Sequence, residues 1–127
     1  MVRESHYQSI IAHALERAGA TVLNVHGHAF QKSGWPDLQV YSPIWTGHLE
    51  IKNEEGGTKK LQMYIMEKLI RSGTRAYVLR VEFPDLVLEK VRRVEGELSS
   101  KLIASLPDWF KEKNGRDLLL WLEQEAK

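Results

Sequence analysis

The chain contains 127 residues, of which 43% are hydrophobic and 28% are charged, and its formal net charge is +1. This size and composition are typical of one globular domain and exclude a disordered tail, a collagen-like fibre and a multidomain enzyme. Because the sequence contains no cysteine, disulfide bonds and thiolate zinc sites are also excluded.

The first half of the chain predicts one helix followed by three strands. Apolar residues recur at spacings of three and four over residues 4–18, which is the pattern of an amphipathic helix. The expected strands lie at residues 21–25, 38–41 and 48–52. Because only a short turn separates the second and third strands, we expect them to pair as a hairpin.

The second half predicts a further helix and strand, followed by a helical tail. Thr58 is expected to cap a helix over residues 59–71, and residues 75–81 alternate as a strand. Residues 84–94 begin with proline and aspartate, which favour the first turn of a helix. Further helical segments are expected at residues 107–110 and 115–126.

These elements predict a single α/β domain that spans residues 1–127. Its core, at residues 4–82, has the order α-β-β-β-α-β, with a mixed central sheet flanked by helices. Residues 83–127 form the expected helical tail. The turn at residues 43–45 is unusually apolar, and we expect it to pack on the tail, to contact a second copy of the chain or to insert at DNA.

Two acidic residues and a lysine are the leading candidates for chemistry. Side chains alternate between the two faces of a strand, so Glu50 and Lys52 share one face. In the expected hairpin, Asp37 lies near both of them. Neighbouring carboxylates repel each other unless one is protonated or a cation lies between them, and oxygen ligands suit Mg²⁺ or Mn²⁺. A lysine beside such a cation can orient an attacking water, as phosphodiester hydrolysis requires.

A structural interpretation of the same residues is also open. Asp37 can be an ordinary turn residue, and Glu50 and Lys52 can form an ion pair along one face of a strand. His48 shares the face of Glu50 and is either a substrate contact or an ordinary strand histidine. Spacing alone does not decide between these alternatives.

The order of several short motifs resembles the PD-(D/E)XK nuclease superfamily, and in particular its compact stand-alone VRR-NUC type from phages and bacteria. Pro36-Asp37 matches the PD element, and Glu50-Ile51-Lys52 matches the ExK element. Further matches are Glu4 and Gln8 in the first helix, the run from Gly34 to Leu38, Gln62 in the second helix, Gly73 and the strand at 77–79. The resemblance covers residues 4–82 and implies a restriction-endonuclease-like core, similar to that of Holliday junction resolvases.

The resemblance implies a role for each matching residue. The implied ligands of Mg²⁺ or Mn²⁺ are Asp37, Glu50, the backbone carbonyl of Ile51 and Glu4. Lys52 would position the nucleophilic water, and Gln62 would orient Lys52 or a phosphate. The structural alternatives are that Glu4 stabilises a helix N-terminus and that Gln62 is a surface residue.

The charge distribution adds a candidate DNA-contact surface. Residues 1–57 carry 4 basic and 6 acidic side chains, whereas residues 58–127 carry 14 and 11. The basic excess lies mainly in residues 59–80, where a solvated helix face is the ordinary explanation. A helix start rich in ammonium and N–H groups also binds phosphate. The residues expected to contact the DNA backbone are Lys59, Lys60, Arg71, Arg75, Arg80, His28 and Lys32.

Together, these residues and the resemblance predict a metal-dependent endodeoxyribonuclease. It is expected to act without sequence specificity, by cutting junctions or flaps or by nicking duplex DNA, as an intracellular homodimer with no small-molecule cofactor and no membrane partner. One alternative is a catalytically silent nucleic-acid-binding module of the same fold. Another is an interaction domain that uses Trp45, Trp109 and Trp121 as contact residues.

Overall fold

The computed structural model describes residues 2–25 and 33–125, which contain both helices and strands. In chain order the elements of these residues are α1 (Glu4–Arg17), β1 (Thr21–Asn24), β2 (Leu38–Tyr41), β3 (Gly47–Lys52), α2 (Lys60–Arg71), β4 (Ala76–Glu82), β5 (Asp85–Val94), β6 (Glu97–Leu106), α3 (Trp109–Glu112) and α4 (Gly115–Glu125). The expected α/β class and the order α-β-β-β-α-β of its first part are confirmed.

The strands form one mixed sheet whose spatial order is their order along the chain. Neighbouring strands are antiparallel, except that β3 and β4 are parallel. A parallel pair needs a crossover connection, and α2 supplies it within the segment between Lys52 and Ala76. The register places Lys52 beside Arg80, so the ends of β3 and β4 meet at one edge of the sheet.

Helices cover both faces of this sheet. On one face, α1, α3 and α4 pack with the alternate side chains Leu49 and Ile51 of β3. On the other face, Met66 of α2 packs against Val78 of β4. Side chains alternate along β3, so His48, Glu50 and Lys52 lie on the face that is covered by α2.

A glycine permits the close approach of α4 to α1. A Cβ atom added at Gly115 would lie 1.9 Å from the backbone oxygen of Ala14. No other residue fits there without moving one helix away from the other. The contact therefore brings the buried leucines of α4 against Ile11 and Leu15 of α1.

The segment at residues 84–94 is a strand, so the prediction of a helix there was wrong. β5 and β6 form a hairpin whose two-residue turn, Glu95–Gly96, has φ values of 52° and 82°, as a type I′ turn requires. Pro84 lies in the turn between β4 and β5 rather than in a first helical turn. The expected helices at the end of the chain are confirmed as α3 and α4.

The start of α2 differs from its prediction in one respect. Thr58 does not cap the helix, because its hydroxyl has no hydrogen-bond partner among the described residues. Instead, the Lys59 N–H donates a 2.9 Å hydrogen bond to Oε1 of Gln62. This contact is the half of a capping box in which a glutamine at the third helical position reaches back to the chain before the helix.

The apolar turn between β2 and β3 turns its tryptophan into the core. Trp45 is 1% exposed and its ring lies 6.4 Å from that of Tyr77. Trp109 and Trp121 are also buried, at 5% and 8% exposure. These three side chains therefore stabilise the fold, and none of them is available as a contact residue for a partner.

None of the helices in residues 2–25 and 33–125 has the length and apolar character needed to cross a membrane.

Candidate active site

Asp37 and β3 are joined by a direct hydrogen bond. Asp37 precedes β2, which pairs with β3 as an antiparallel hairpin, as expected. Its Oδ2 atom accepts a 2.9 Å hydrogen bond from the N–H of Ile51. The hairpin therefore places the Asp37 carboxylate beside the polar face of β3 that carries Glu50 and Lys52.

Glu50 is buried at the centre of this group of residues, with 3% of its surface exposed. Its Oε2 atom lies 3.4 Å from Nζ of Lys52 and accepts a 2.9 Å hydrogen bond from Nε2 of Gln62. Its other oxygen, Oε1, is buried and accepts no hydrogen bond from an N–H group of the described residues, but the Glu50 carboxyl group interacts with that of Asp37. Two carboxyl groups this close repel each other when both are charged, so a proton or a cation belongs between them.

Electrostatics at Glu50 agree with that interpretation. Burial raises the pKa of Glu50, the nearby Asp37 carboxylate raises it further and Lys52 opposes both, which brings the pKa to about 8. Burial and the Asp37 carboxylate therefore favour the neutral, protonated form of Glu50 when no cation is bound. A divalent cation between the two carboxylates would replace that proton and remove their repulsion.

The donor set suits a hard cation with water in part of its coordination sphere. Two carboxylates and a backbone carbonyl are oxygen ligands of the kind that Mg²⁺ and Mn²⁺ take, and Mg²⁺ usually keeps several waters. Three or more histidine, cysteine, aspartate or glutamate side chains are not gathered into a metal-holding group in the described part of the chain. The carbonyl of Ile51 as a third ligand stays a prediction.

Glu4, the first residue of α1, lies next to the site because its side chain contacts the loop that follows β3. Its Oε2 atom accepts a 3.2 Å hydrogen bond from the N–H of Asn53, the residue after Lys52. Gly56 packs so closely that a Cβ there would lie 2.0 Å from the same oxygen. Glu4 thus anchors the loop beside Lys52, and its direct contribution to a metal stays a prediction.

Gln62 joins α2 to the buried carboxylate. The same side chain accepts from the Lys59 N–H and donates to Glu50. Both of its polar atoms are therefore used, one to fix its own helix and one to fix Glu50. The resemblance predicted a contact with Lys52 or a phosphate, and the contact observed is with Glu50.

The basic residues do not form one continuous surface. Lys59 and Lys60 are exposed at the start of α2, next to Gln62. Arg71 is at the other end of this helix, about 17 Å away along its axis, where it pairs with Glu67 at 3.2 Å. Their contacts with DNA stay predictions.

Arg75 and Arg80 lie at opposite ends of β4. Arg75 precedes the strand and pairs with Glu123 at 2.5 Å. Arg80 lies beside Lys52, but its side chain is only 14% exposed and pairs with Glu89. The contact of Arg80 with DNA stays a prediction, and His28 and Lys32 lie outside the described residues.

His48 is buried on the Glu50 face of β3, with its ring 6.2 Å from that of Trp35. Burial lowers the pKa of His48, so the imidazole is neutral at pH 7. It is enclosed by the protein, which favours the ordinary strand histidine over a substrate contact.

Sequence reasoning missed the residues that hold the loop after β3. Arg80 donates hydrogen bonds to the carbonyls of Asn53 and Gly56 and to the carboxylate of Glu89. The alternation of residues along β4 predicts that Arg80 lies on the polar face of the sheet, but it does not identify Glu89 as its partner. Glu89 could not be found because its segment was expected to be helical.

The fold and these contacts define a mixed α/β protein with a buried carboxylate, lysine and glutamine cluster where two parallel strands end. No family model matches the chain, and no curated protein matches it.

Proposed function

We propose that the protein is a metal-dependent endonuclease of the PD-(D/E)XK type that hydrolyses DNA phosphodiester bonds. The observation that carries the proposal is the buried carboxyl group of Glu50, which interacts with Asp37, Lys52 and Gln62 and has a raised pKa. A stabilising role alone does not explain this group, because an apolar side chain of similar volume would avoid the cost of burying its charges.

Each side chain has a definite task in the proposed reaction. Asp37 and Glu50 would hold Mg²⁺ or Mn²⁺, which supplies Lewis acidity and lowers the pKa of a bound water. Lys52 keeps an ammonium group within 3.4 Å of Glu50 and orients the attacking water. Gln62 fixes the rotamer of Glu50, and Lys59 and Lys60 hold the phosphate backbone of the substrate.

The substrate is proposed to be DNA recognised by its backbone. Cations at the start of α2 attract phosphate without reading bases, so no sequence preference is expected. Selectivity for junctions, flaps or nicks would follow if two copies of the chain act together, since a dimer places two sites on two strands. Sedimentation at low protein concentration tests the dimer.

The direct test is cleavage of a supercoiled plasmid and of a labelled four-way junction in Mg²⁺, Mn²⁺ or EDTA. Cutting that requires the metal and is lost in Asp37→Ala and Lys52→Ala supports the proposal. Arg17→Ala is the matched control, because Arg17 is exposed at the far end of α1. The better-cut substrate distinguishes general nicking from selectivity for junctions.

A catalytically silent nucleic-acid-binding module is the second candidate. It is favoured by the exposed Lys59 and Lys60, which need no metal to bind DNA. In that case the wild-type chain binds the junction and leaves it intact in every metal.

A further inference from the structure

Arg80 lies at the centre of a hydrogen-bond chain that crosses three strands. Its Nε and Nη2 atoms donate to the two carboxylate oxygens of Glu89 at 2.6 and 3.3 Å. The hydroxyl of Ser100 on β6 donates to Oε1 of Glu89 at 2.8 Å. The chain thus runs from β6 through β5 to β4, and it ends on the loop that follows β3.

The other end of Arg80 fixes that loop. Its Nη1 atom donates to the carbonyl of Asn53 at 2.9 Å and to the carbonyl of Gly56. Within the loop, Oδ1 of Asn53 accepts from the N–H groups of Glu55 and Gly56 at 3.1 and 2.8 Å. Because Glu4 accepts from the Asn53 N–H, the peptide groups on both sides of Asn53 are anchored.

The loop held in this way connects two residues of the candidate site, Lys52 and Gln62. Lys52 precedes Asn53 directly, and Gln62 lies in the first turn of α2, a few residues after Gly56. Both side chains contact Glu50. A shift of the loop would therefore move Lys52 and Gln62 relative to the carboxylate that they share.

The environment of Arg80 suits a fixed support and not a substrate contact. Its side chain is 14% exposed and that of Glu89 is 13% exposed, whereas Lys59 and Lys60 are open to solvent. Burial alone would raise the pKa of Glu89, but its hydrogen bonds from Arg80 and Ser100 outweigh burial and lower it. The pair is therefore charged, bidentate and directed into the protein.

We propose that Arg80 is a positioning residue of the candidate site. Held by Glu89, it clamps the loop at residues 53–56 and so places Lys52 and Gln62 around Glu50. The hairpin of β5 and β6 then supports the candidate site through Glu89 and Ser100, although it lies outside residues 4–82, which carry the motifs. This inference rests on the proposed function.

The decisive variant is Arg80→Lys, which keeps the charge and removes the planar fork. A single ammonium group cannot reach both oxygens of Glu89 and both loop carbonyls. Glu89→Gln is the second variant, since it keeps the shape of the support and removes its charge. Arg93→Lys is the matched control, because Arg93 also forms a two-point pair with a carboxylate, that of Glu67, but it bonds the carbonyl of Gly96 and not the loop at residues 53–56.

The measurements are kcat and KM for a cleaved DNA in Mg²⁺, together with amide hydrogen exchange of residues 53–57, at a temperature where each variant is folded by circular dichroism. For Arg80→Lys and Glu89→Gln we expect kcat to fall about tenfold or more while KM for DNA changes by less than about twofold. Exchange in residues 53–57 should quicken in both variants. Arg93→Lys should change none of these values.

Three outcomes would overturn the inference. The first is an unchanged kcat in folded Arg80→Lys, and the second is a rise in KM alone, which would make Arg80 a DNA contact. The third is a fall in kcat with unchanged exchange at residues 53–57. If the wild-type chain cuts no DNA, the proposed function fails and this positioning role fails with it, whereas a cutting wild type with unaffected variants overturns the positioning role alone.

Discussion

Gln62 on α2 donates a 2.9 Å hydrogen bond to the buried carboxylate of Glu50 on β3. The contact joins the crossover helix to the strand that precedes it, at the oxygen of Glu50 that lies 3.4 Å from Nζ of Lys52. The Glu50 carboxyl group therefore interacts with an amide donor, an ammonium group and the carboxyl group of Asp37.

Replacing Glu50 by glutamine should change how stability depends on pH. The pKa of Glu50 is raised to about 8 in the folded chain, from an ordinary value of 4.5. The stabilisation that its proton supplies is therefore complete below pH 4.5 and is lost as the pH rises to 8. Without metal, the unfolding free energy of the wild type should fall relative to Glu50→Gln by up to about 1.4 kcal/mol per pH unit in this range.

Urea unfolding at pH 5.5 and pH 8 in EDTA measures this difference. Parallel pH profiles for the wild type and Glu50→Gln would show that the carboxyl group is not perturbed.

Mg²⁺ should stabilise the folded chain, and it should do so more strongly at pH 8 than at pH 6. A ligand that binds only the folded state adds about 1.4 kcal/mol at ten times its dissociation constant. The pH dependence follows because the cation must displace the proton of Glu50. Thermal unfolding with MgCl₂, against NaCl of equal ionic strength, detects the effect, and Asp37→Asn should abolish it. An equal shift in Asp37→Asn would place the cation elsewhere.

Gln62→Leu should destabilise the fold by about 1–3 kcal/mol, because it leaves the Glu50 carboxyl without its amide donor. The Lys59 N–H also loses its acceptor. Leu61→Ala is the control on the preceding residue, whose side chain is 48% exposed and should matter little. Urea unfolding at pH 7 compares the two variants, and equal stabilities would mean that the hydrogen bonds of Gln62 contribute nothing.

The double variant Lys59→Ala, Lys60→Ala should flatten the salt dependence of DNA binding. Each phosphate contact contributes a slope of about −0.9 in a plot of log K against log salt, so the slope should become less negative by one to two contacts. Fluorescence anisotropy between 50 and 200 mM salt measures it. Lys113→Ala, Arg116→Ala is the matched double control, since both side chains are exposed and neither is an expected DNA contact. A slope that changes only in the control would place the DNA near the start of α4.

Gly115→Ala should destabilise the fold by about 1–3 kcal/mol or more, because the added methyl group meets the backbone of Ala14 at 1.9 Å. Gly57→Ala is the control, because a Cβ at Gly57 has no atom within 4 Å. Guanidinium unfolding of both variants tests the packing of α4 on α1, and equal losses of stability would refute it.

The parts of the site that could be predicted are those joined by short connections. The hairpin of β2 and β3 follows from alternation and a five-residue turn, and it brings Asp37 to Glu50 and Lys52. Gln62 was expected from the resemblance, and its contact with Glu50 is an additional finding.

The parts that could not be predicted depend on contacts between distant segments. Arg80 and Glu89 meet because β4 and β5 are neighbours, and that pairing was hidden by the proline and aspartate that resemble a helix start. The valines at 87, 91 and 94 favour a strand, and this tertiary pairing outweighs the local signal at Pro84. Trp45 likewise could not be assigned, because its burial depends on Tyr77 of β4.

The parallel pairing of β3 with β4 also affects the order in which the chain can fold. β4 to β6 are linked by turns of two residues, whereas β3 and β4 can meet only after the whole crossover with α2 has closed. Short loops close at lower entropic cost, so local hairpins precede long-range pairing. Lys52 on β3 and Arg80 on β4 are neighbours in this parallel pair of strands, which is expected to form late. We therefore expect a newly made chain to complete its candidate site as one of its last folding steps and to be incapable of the proposed chemistry until then.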